Sequence, residues 1–400
     1  MKTVAVIGGS LAGLAAARSL RGQGYEGRLV VVGDELHRPY DRPPLSKGFL
    51  KGAVPEEELA LEAEDDDQLD AEWLLGTRAT GLDIRDRSIH LDDGRVLGVD
   101  GVVVATGAGA RHLPGGQNLT GVHVVRTLDD ARALRADLAR GGRLVVVGGG
   151  FIGVEVASTA RELGLDVTLV VSGAVPLAGA LGSAMATELA PIHADHGARV
   201  VGGASVVGVT GTPGTTGVPG RVEAVQLADG RSVPADIVVV GIGAAPHTDW
   251  LLGSGVELDD GVRCGADGTT NIPQVVAVGD CAAWYDPALG RHRRVEHWTG
   301  ANERPATAVA ALLSGGTAAF RPPKPPYFWS EQYGVRIQFA GHLGRADSVA
   351  VEEGSADDRS FLAVYRSAGE PVAVLGVNRA KQFTRWRKQL AAAAVGVGTA

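Results

Sequence analysis

The chain is poor in sulfur. Only two cysteines and two methionines occur in 400 residues, and the cysteines, Cys264 and Cys281, make neither a CxxC nor a CxxxxC pair. A dithiol that relays electrons needs two sulfurs close together in the chain, or a thiol acidified at a helix N-terminus. Both cysteines therefore read as packing residues. Aromatic residues are scarce at 5%, and charged residues make up 21%. Lys and Arg number 38 against 46 Asp and Glu, a net charge of −8, so the basic footprint of a nucleic-acid surface is missing. No uninterrupted apolar run reaches the roughly 18 residues of a membrane span, and the Ala-rich stretch from Leu390 to Ala400 is too short. A strand pattern begins directly after Met1-Lys2, leaving no basic, apolar and cleavage regions of a secretory signal. A cytoplasmic protein is expected, with neither membrane nor nucleic acid as partner and no metal site.

Glycine, by contrast, is abundant at 58 residues, and two glycine loops organise the chain. The first is Gly8-Gly9-Ser10-Leu11-Ala12-Gly13 and the second Gly148-Gly149-Gly150-Phe151-Ile152-Gly153. Each follows an apolar strand, Thr3 to Ile7 or Leu144 to Val147, and opens an Ala/Val-rich helix. Glycine lets a backbone approach a pyrophosphate closely, and the N-terminus of the following helix supplies unpaired N–H groups to it. Two copies in this context imply two bound dinucleotides. The first strand-loop-helix unit is followed by an apolar strand ending in Asp34 and Glu35, about 20 residues on, where an acid accepts from an adenosine ribose.

The chain length predicts two or three domains. Val102-Val103-Val104-Ala105-Thr106-Gly107 is a buried strand ending in a small-residue turn, and Ile237 to Gly243 is a similar strand closing the second unit. Val275 to Val278, ending in Gly279-Asp280, marks the return to the first unit, followed by a helix from about Ala301 to Leu313. These signals predict one domain inserted in another: residues 1–107 and 242–320 around an insert of 108–241. Gly211 to Gly220 reads as a mobile hairpin tip, and the acidic run from Glu56 to Asp70 as a solvated face. Arg321-Pro322-Pro323-Lys324-Pro325-Pro326 reads as a semi-rigid linker to an α+β unit of residues 321–400 that closes with a helix near Lys381 to Ala394.

The glycine loops, the turn at Ala105-Thr106-Gly107, the Gly279-Asp280 ending, the segment Pro39-Tyr40-Asp41-Arg42-Pro43-Pro44-Leu45-Ser46-Lys47 and the segment Phe328-Trp329-Ser330-Glu331-Gln332-Tyr333-Gly334 occur together. With them the chain resembles the FAD-dependent, NAD(P)H-using ferredoxin reductases of bacterial oxygenase systems, of the putidaredoxin reductase type. The resemblance implies an α/β fold of two Rossmann-like domains, glutathione reductase-like, with the first loop binding FAD and the second the nicotinamide dinucleotide. It places Gly8, Ser10, Leu11, Ala12, Gly13, Asp34, Arg42 and Lys47 at FAD, with Ala79 by the adenine, Thr106, Gly107 and Arg126, Gly279 and Asp280 at the ribityl chain, and Trp298 near the flavin ring. Gly148, Gly150, Phe151, Ile152, Gly153, Ile242 and Gly243 fall to the second dinucleotide. Lys47 and Glu155 are implied to pair beside the flavin. A fixed ammonium there stabilises the negative charge that a reduced flavin accumulates, while the carboxylate holds the ammonium in place. Trp329 is implied to lie over the flavin or nicotinamide face and to keep water from the hydride path.

Three positions depart from the pattern. Ser10 stands where the fingerprint has its second glycine. Val171-Ser172 stands where an acid would select NAD, and no arginine in Ser172 to Pro176 argues for the extra phosphate of NADP, so NADH is favoured. Arg304-Pro305 lies near the start of a helix, where proline is tolerated only in the first turn. The expected activity is hydride transfer from NAD(P)H to FAD, then single electrons to a [2Fe-2S] ferredoxin serving a haem-thiolate or Rieske oxygenase. The alternatives are reduction of a small acceptor (quinone, oxygen or organic radical) and an apoptosis-inducing-factor-like flavin-binding interaction or sensing protein with slow NADH oxidation. Arg291, Arg293 and Arg294, or Arg379, Lys381, Arg385, Arg387 and Lys388, are the basic candidates for docking an acidic ferredoxin.

Overall fold

The computed structural model describes residues 1–116, 119–215, 219–316 and 324–396. Thr3–Ile7 lies at the centre of a five-stranded sheet ordered Val275–Ala277, Gly101–Val104, Thr3–Ile7, Arg28–Gly33, Ala71–Leu75, with every pairing parallel. Its strands are near-continuous Val/Leu/Ala runs because a parallel sheet is covered on both faces and has no solvent side to alternate toward. A second parallel sheet is ordered Val122–His123, Ile237–Val240, Arg143–Val147, Asp166–Val170, Arg199–Val201. The edge strand Val275–Ala277 of the first sheet comes from beyond the whole of the second, which is the inserted arrangement expected. At the crossing between them, Ala108–Ala110 and Ala244–Pro246 pair antiparallel.

The third unit is an antiparallel sheet ordered Tyr327–Gln332, Val335–Gly341, Glu370–Val377, Ser360–Ser367, Ser348–Ser355, backed by the helix Ala380–Gly396. Its first hairpin turns on Tyr333 and Gly334, both at positive φ (51° and 74°), the two-residue turn whose twist suits antiparallel strands. The fold is thus two Rossmann-like α/β units with an appended antiparallel α+β unit.

Several local expectations shift. The helix after the strand Arg291–Arg294 is Trp298–Ser314, starting three residues before the expected Ala301, so Pro305 lies within it and not in its first turn. The Ala301 carbonyl accordingly lacks its usual intrahelical donor. The acidic run is not uniformly solvated: Asp66 takes two hydrogen bonds from Arg18, at 2.8 and 2.5 Å, and its side chain is only 8% exposed. Glu62 pairs with Arg38 and Glu56 with Arg132 at its rim. The strands Val206–Gly211 and Gly220–Leu227 do form a hairpin, but residues 216–218 of its tip lie outside the described residues. So does the linker segment 321–323 with the expected boundary at 320/321.

Burial of titratable groups gives the fold an acid limit. His193, 2% exposed on the helix Pro191–Asp195, has its pKa pushed down to about 4, first by burial and then by His196. Between that value and the ordinary 6.5, the unfolded chain binds a proton that the native state refuses. Stability therefore falls as pH falls through the window, by up to about 1.4 kcal/mol per pH unit. Denaturant midpoints at pH 7, 6 and 5 should fall more steeply for the wild type than for His193→Gln; parallel slopes would contradict this assignment.

Candidate functional site

The two glycine loops are built alike. Gly8 has φ +126°, and a Cβ there would stand 2.0 Å from the Ala105 carbonyl oxygen. Gly148 has φ +113°, and its Cβ would stand 2.1 Å from the Gly241 carbonyl oxygen. In each unit the first glycine thus lets the loop press against the strand-end turn beside it, and the helices Leu11–Gly22 and Phe151–Glu162 start from the loops with their N-termini open. The chain folds this way because only glycine tolerates both the positive φ and the contact.

The first loop opens into a cavity of about 310 Å³. Of the residues assigned to FAD by resemblance, Gly8, Ser10, Leu11, Ala12, Asp34 and Arg42 line it, as do Lys47, Thr106, Gly107, Arg126, Gly279, Asp280 and Trp298. Gly13 lies beneath, where a Cβ would meet the Gly8 carbonyl at 1.9 Å. Ala79 does not line the cavity: it is buried in the core of the first unit, opposite Leu91. From the second unit, Phe151, Ile152 and Glu155 reach the same cavity, and Trp329 enters from the third. Gly148, Gly150, Gly153, Ile242 and Gly243 stay outside it, around the second loop, where Ile152 and Ile242 are among the exposed large apolar side chains.

Polar contacts order the cavity wall. Arg42 donates to Glu35 at 2.5 Å, to the Arg126 carbonyl at 2.6 Å and to Ser10 Oγ at 3.3 Å. Ser10 thus has a hydroxyl role that its fingerprint glycine would lack. Glu35 is also the acceptor for Tyr40, so its two oxygens are engaged, while Asp34 is half-exposed with its carboxylate 3.5 Å from Arg78. Arg126 donates to Asp280 at 2.8 Å. Trp298 donates its indole N–H to Asp41 at 2.7 Å; burial raises the Asp41 pKa and this bond opposes the rise. Trp298 meets Trp329 edge to face at 6.1 Å, and Phe151 meets Phe328 at 4.4 Å.

The Lys47–Glu155 pair predicted by resemblance is formed. Lys47 Nζ donates to Glu155 Oε2 at 2.5 Å, and Glu155 is only 4% exposed although it stands on the first turns of a helix. Sequence reasoning missed its other donors, Ser46 at 2.6 Å and Ser330 at 2.7 Å, as well as Asp41, His297 and Phe328 at the cavity. Ser46 and Ser330 belong to the two signature segments, which was the available signal. His297 has its pKa pushed down to about 4, by burial and then by Arg293, and its Nδ1 has no partner among the described residues. A neutral imidazole with an unpaired ring nitrogen, a glycine cradle at a helix N-terminus and an aromatic wall fit a bound dinucleotide with a flat heterocycle.

The chain's comparisons with known proteins agree with this geometry. Residues 2–314 match the family described as pyridine nucleotide-disulphide oxidoreductase, and residues 327–397 match the reductase C-terminal family. The chain is 37% identical over 383 residues to the biphenyl dioxygenase system ferredoxin--NAD(+) reductase component of Paraburkholderia xenovorans (strain LB400), covering 96% of this chain and 91% of that one. The chain belongs to the ferredoxin reductases of bacterial oxygenase systems. Within this family, putidaredoxin reductase of Pseudomonas putida is 34% identical over 387 residues, covering 96% of this chain and 90% of that one. The crystal structure of the covalent putidaredoxin reductase–putidaredoxin complex superposes with TM-score 0.90 at 32% identity, over 98% of this chain and 93% of that chain.

This member of the ferredoxin reductases is an FAD-dependent oxidoreductase. The disulphide of the broader family description has no counterpart in it. Cys264 and Cys281 are both buried, and burial pushes both thiol pKa values up, away from a reactive thiolate. No helix among the described residues is long and apolar enough to cross a membrane.

Proposed function

We propose that this chain takes electrons from NADH through FAD to a [2Fe-2S] ferredoxin, which in turn supplies a haem-thiolate or Rieske oxygenase. The observation that carries the reading is the convergence of all three units on one cavity, with Lys47 held there by a buried carboxylate. FAD, when bound, supplies the conversion of two-electron hydride chemistry into one-electron steps. The protein's part is to hold it between the first glycine loop and the aromatic wall. Lys47 places a fixed positive charge, and Trp298, Trp329 and Phe328 exclude water. With both thiols buried, no thiol relay stands between the cavity and an external acceptor.

Dinucleotide choice rests on the second loop. Val171 is 2% exposed and turns onto Gly149, where a Cβ would lie 2.7 Å from Val171 Cγ1, so no carboxylate selects a ribose there. Ser172 and Ala174 beside it are exposed and uncharged, which leaves NADH favoured because Ser172 to Pro176 offer no cation for an extra phosphate. Anaerobic rapid mixing with NADH and with NADPH, following loss of the oxidised flavin absorbance, should show faster bleaching by NADH. Bleaching by neither would refute the reductase reading and favour the sensing one.

For the ferredoxin, the basic strand Arg291–Arg294 runs directly into Glu296, His297 and Trp298 at the cavity. Arg294 is committed to Asp260 and Glu296, and Arg385 to Glu353, whereas Arg291 is exposed. Charge complementarity acts mainly on encounter, so Arg291→Glu is expected to slow ferredoxin reduction about tenfold at low salt while flavin bleaching by NADH stays unchanged. Equal ferredoxin rates would remove Arg291 from the docking surface.

A further inference from the structure

The third unit contributes more to the cavity than its aromatic wall. Ser330, on the strand Tyr327–Gln332, is 0% exposed and its Oγ stands 2.7 Å from Glu155 Oε1. Behind it Gln332, 1% exposed, donates its amide N–H to Ser330 Oγ at 3.2 Å. A hydroxyl has one proton to give. Because the amide can only donate through its nitrogen, Ser330 accepts from Gln332 and gives its proton to the carboxylate, which fixes the direction of the chain from Gln332 through Ser330 to Glu155.

On the other carboxylate oxygen the arrangement is different. Oε2 takes Ser46 at 2.6 Å and Lys47 at 2.5 Å, both from the first unit. Oε1 has Ser330 alone among the described residues. The carboxylate is thus suspended between two units while its own helix belongs to a third. Losing the single donor on Oε1 leaves that oxygen buried without a partner, a state that costs about 1–3 kcal/mol and is relieved by rotation of the carboxyl group. That rotation moves the ammonium that Oε2 holds together with the Pro43 carbonyl.

We propose that Ser330 is a positioning residue for Lys47, acting through Glu155, so that the C-terminal sheet sets the electrostatics at the flavin. The inference rests on the assignment of Lys47 to the flavin made above. Gln332 serves it by keeping the Ser330 proton aimed at Glu155.

The test uses the FAD-loaded full chain and measures two quantities: the flavin midpoint potential and the stopped-flow rate of flavin reduction at varied NADH. Ser330→Ala is expected to lower the midpoint potential, in the same direction as Lys47→Met but by less. It should also reduce the limiting rate about tenfold, with half-saturating NADH unchanged, as about 1.4 kcal/mol of lost stabilisation dictates. Ser330→Thr, which keeps the hydroxyl, should restore both quantities. Gln332→Met should repeat the Ser330→Ala pattern at smaller amplitude, and it carries the test if Ser330→Ala fails to fold. Wild-type potential and rate in Ser330→Ala, with Lys47→Met impaired, would overturn the role of Ser330 alone. Wild-type behaviour in Lys47→Met would overturn the underlying assignment and the inference with it. A merely structural role for Ser330 would lower thermal stability and leave the potential of the folded fraction in place.

Discussion

Lys47→Met is expected to slow flavin reduction by NADH by about 10²–10³-fold while FAD content stays stoichiometric. The magnitude follows from the cost of removing one preorganised charged donor from a site that excludes water. FAD should remain bound because Lys47 is one of many residues lining the cavity, and the glycine cradle, Asp34, Arg42 and the Arg126–Asp280 pair are untouched. Glu155→Gln removes the fixed charge opposite Lys47 and keeps an acceptor oxygen for only one of the two serines, which sit on different carboxylate oxygens, so its effect should be in the same direction and smaller. Stopped-flow bleaching decides the matter: a Lys47→Met rate within a factor of two of wild type would place the ammonium outside the reaction.

Gly150→Val is expected to raise the half-saturating NADH concentration about 10²-fold, with fold, FAD content and midpoint potential retained. Gly150 precedes the helix Phe151–Glu162 in extended backbone (φ −80°, ψ 176°), which any residue adopts, and a Cβ there meets no atom within 4 Å. The protein itself leaves this position free, so a loss on substitution would come from the dinucleotide proposed to bind there and not from a clash within the fold. A branched side chain would occupy the space that a pyrophosphate needs at the helix N-terminus. Gly148→Val is the contrasting variant: it would clash with the Gly241 carbonyl and should cost the fold. If Gly150→Val left NADH saturation unchanged, the second loop would not be the dinucleotide site.

The contrast between these glycines shows what could be read in advance. Strand-loop-helix units are local, and their glycines, apolar strands and turns lie within a few residues of one another, so both loops and the inserted order were legible. Trp298 as the start of its helix was not, because the indole is fixed by Asp41 from a segment far back in the chain. Pro305 inside that helix likewise reflects tertiary packing that overrides a local rule. The Lys47–Glu155 pair was legible only through resemblance. Nothing near Glu155 in sequence marks a mid-helix acid as buried, and its serine donors come from two other units. Asp66 was misread for the same reason: in an acidic run each carboxylate looks alike until Arg18 is found across the fold.

The separation of these partners along the chain also orders events during synthesis. Lys47 and Glu155 lie 108 positions apart, Ser330 and Glu155 175, and Trp298 and Asp41 257. A ribosome adding 5–20 residues per second therefore exposes the first glycine loop many seconds before the strand at Val275–Ala277 can complete its sheet, and Ser330 later still. The nascent chain holds a nucleotide cradle with an open edge through most of translation. Yellow colour and NADH-dependent bleaching should consequently arise at different chain lengths, the second only after the FWSEQYG hairpin has emerged and docked.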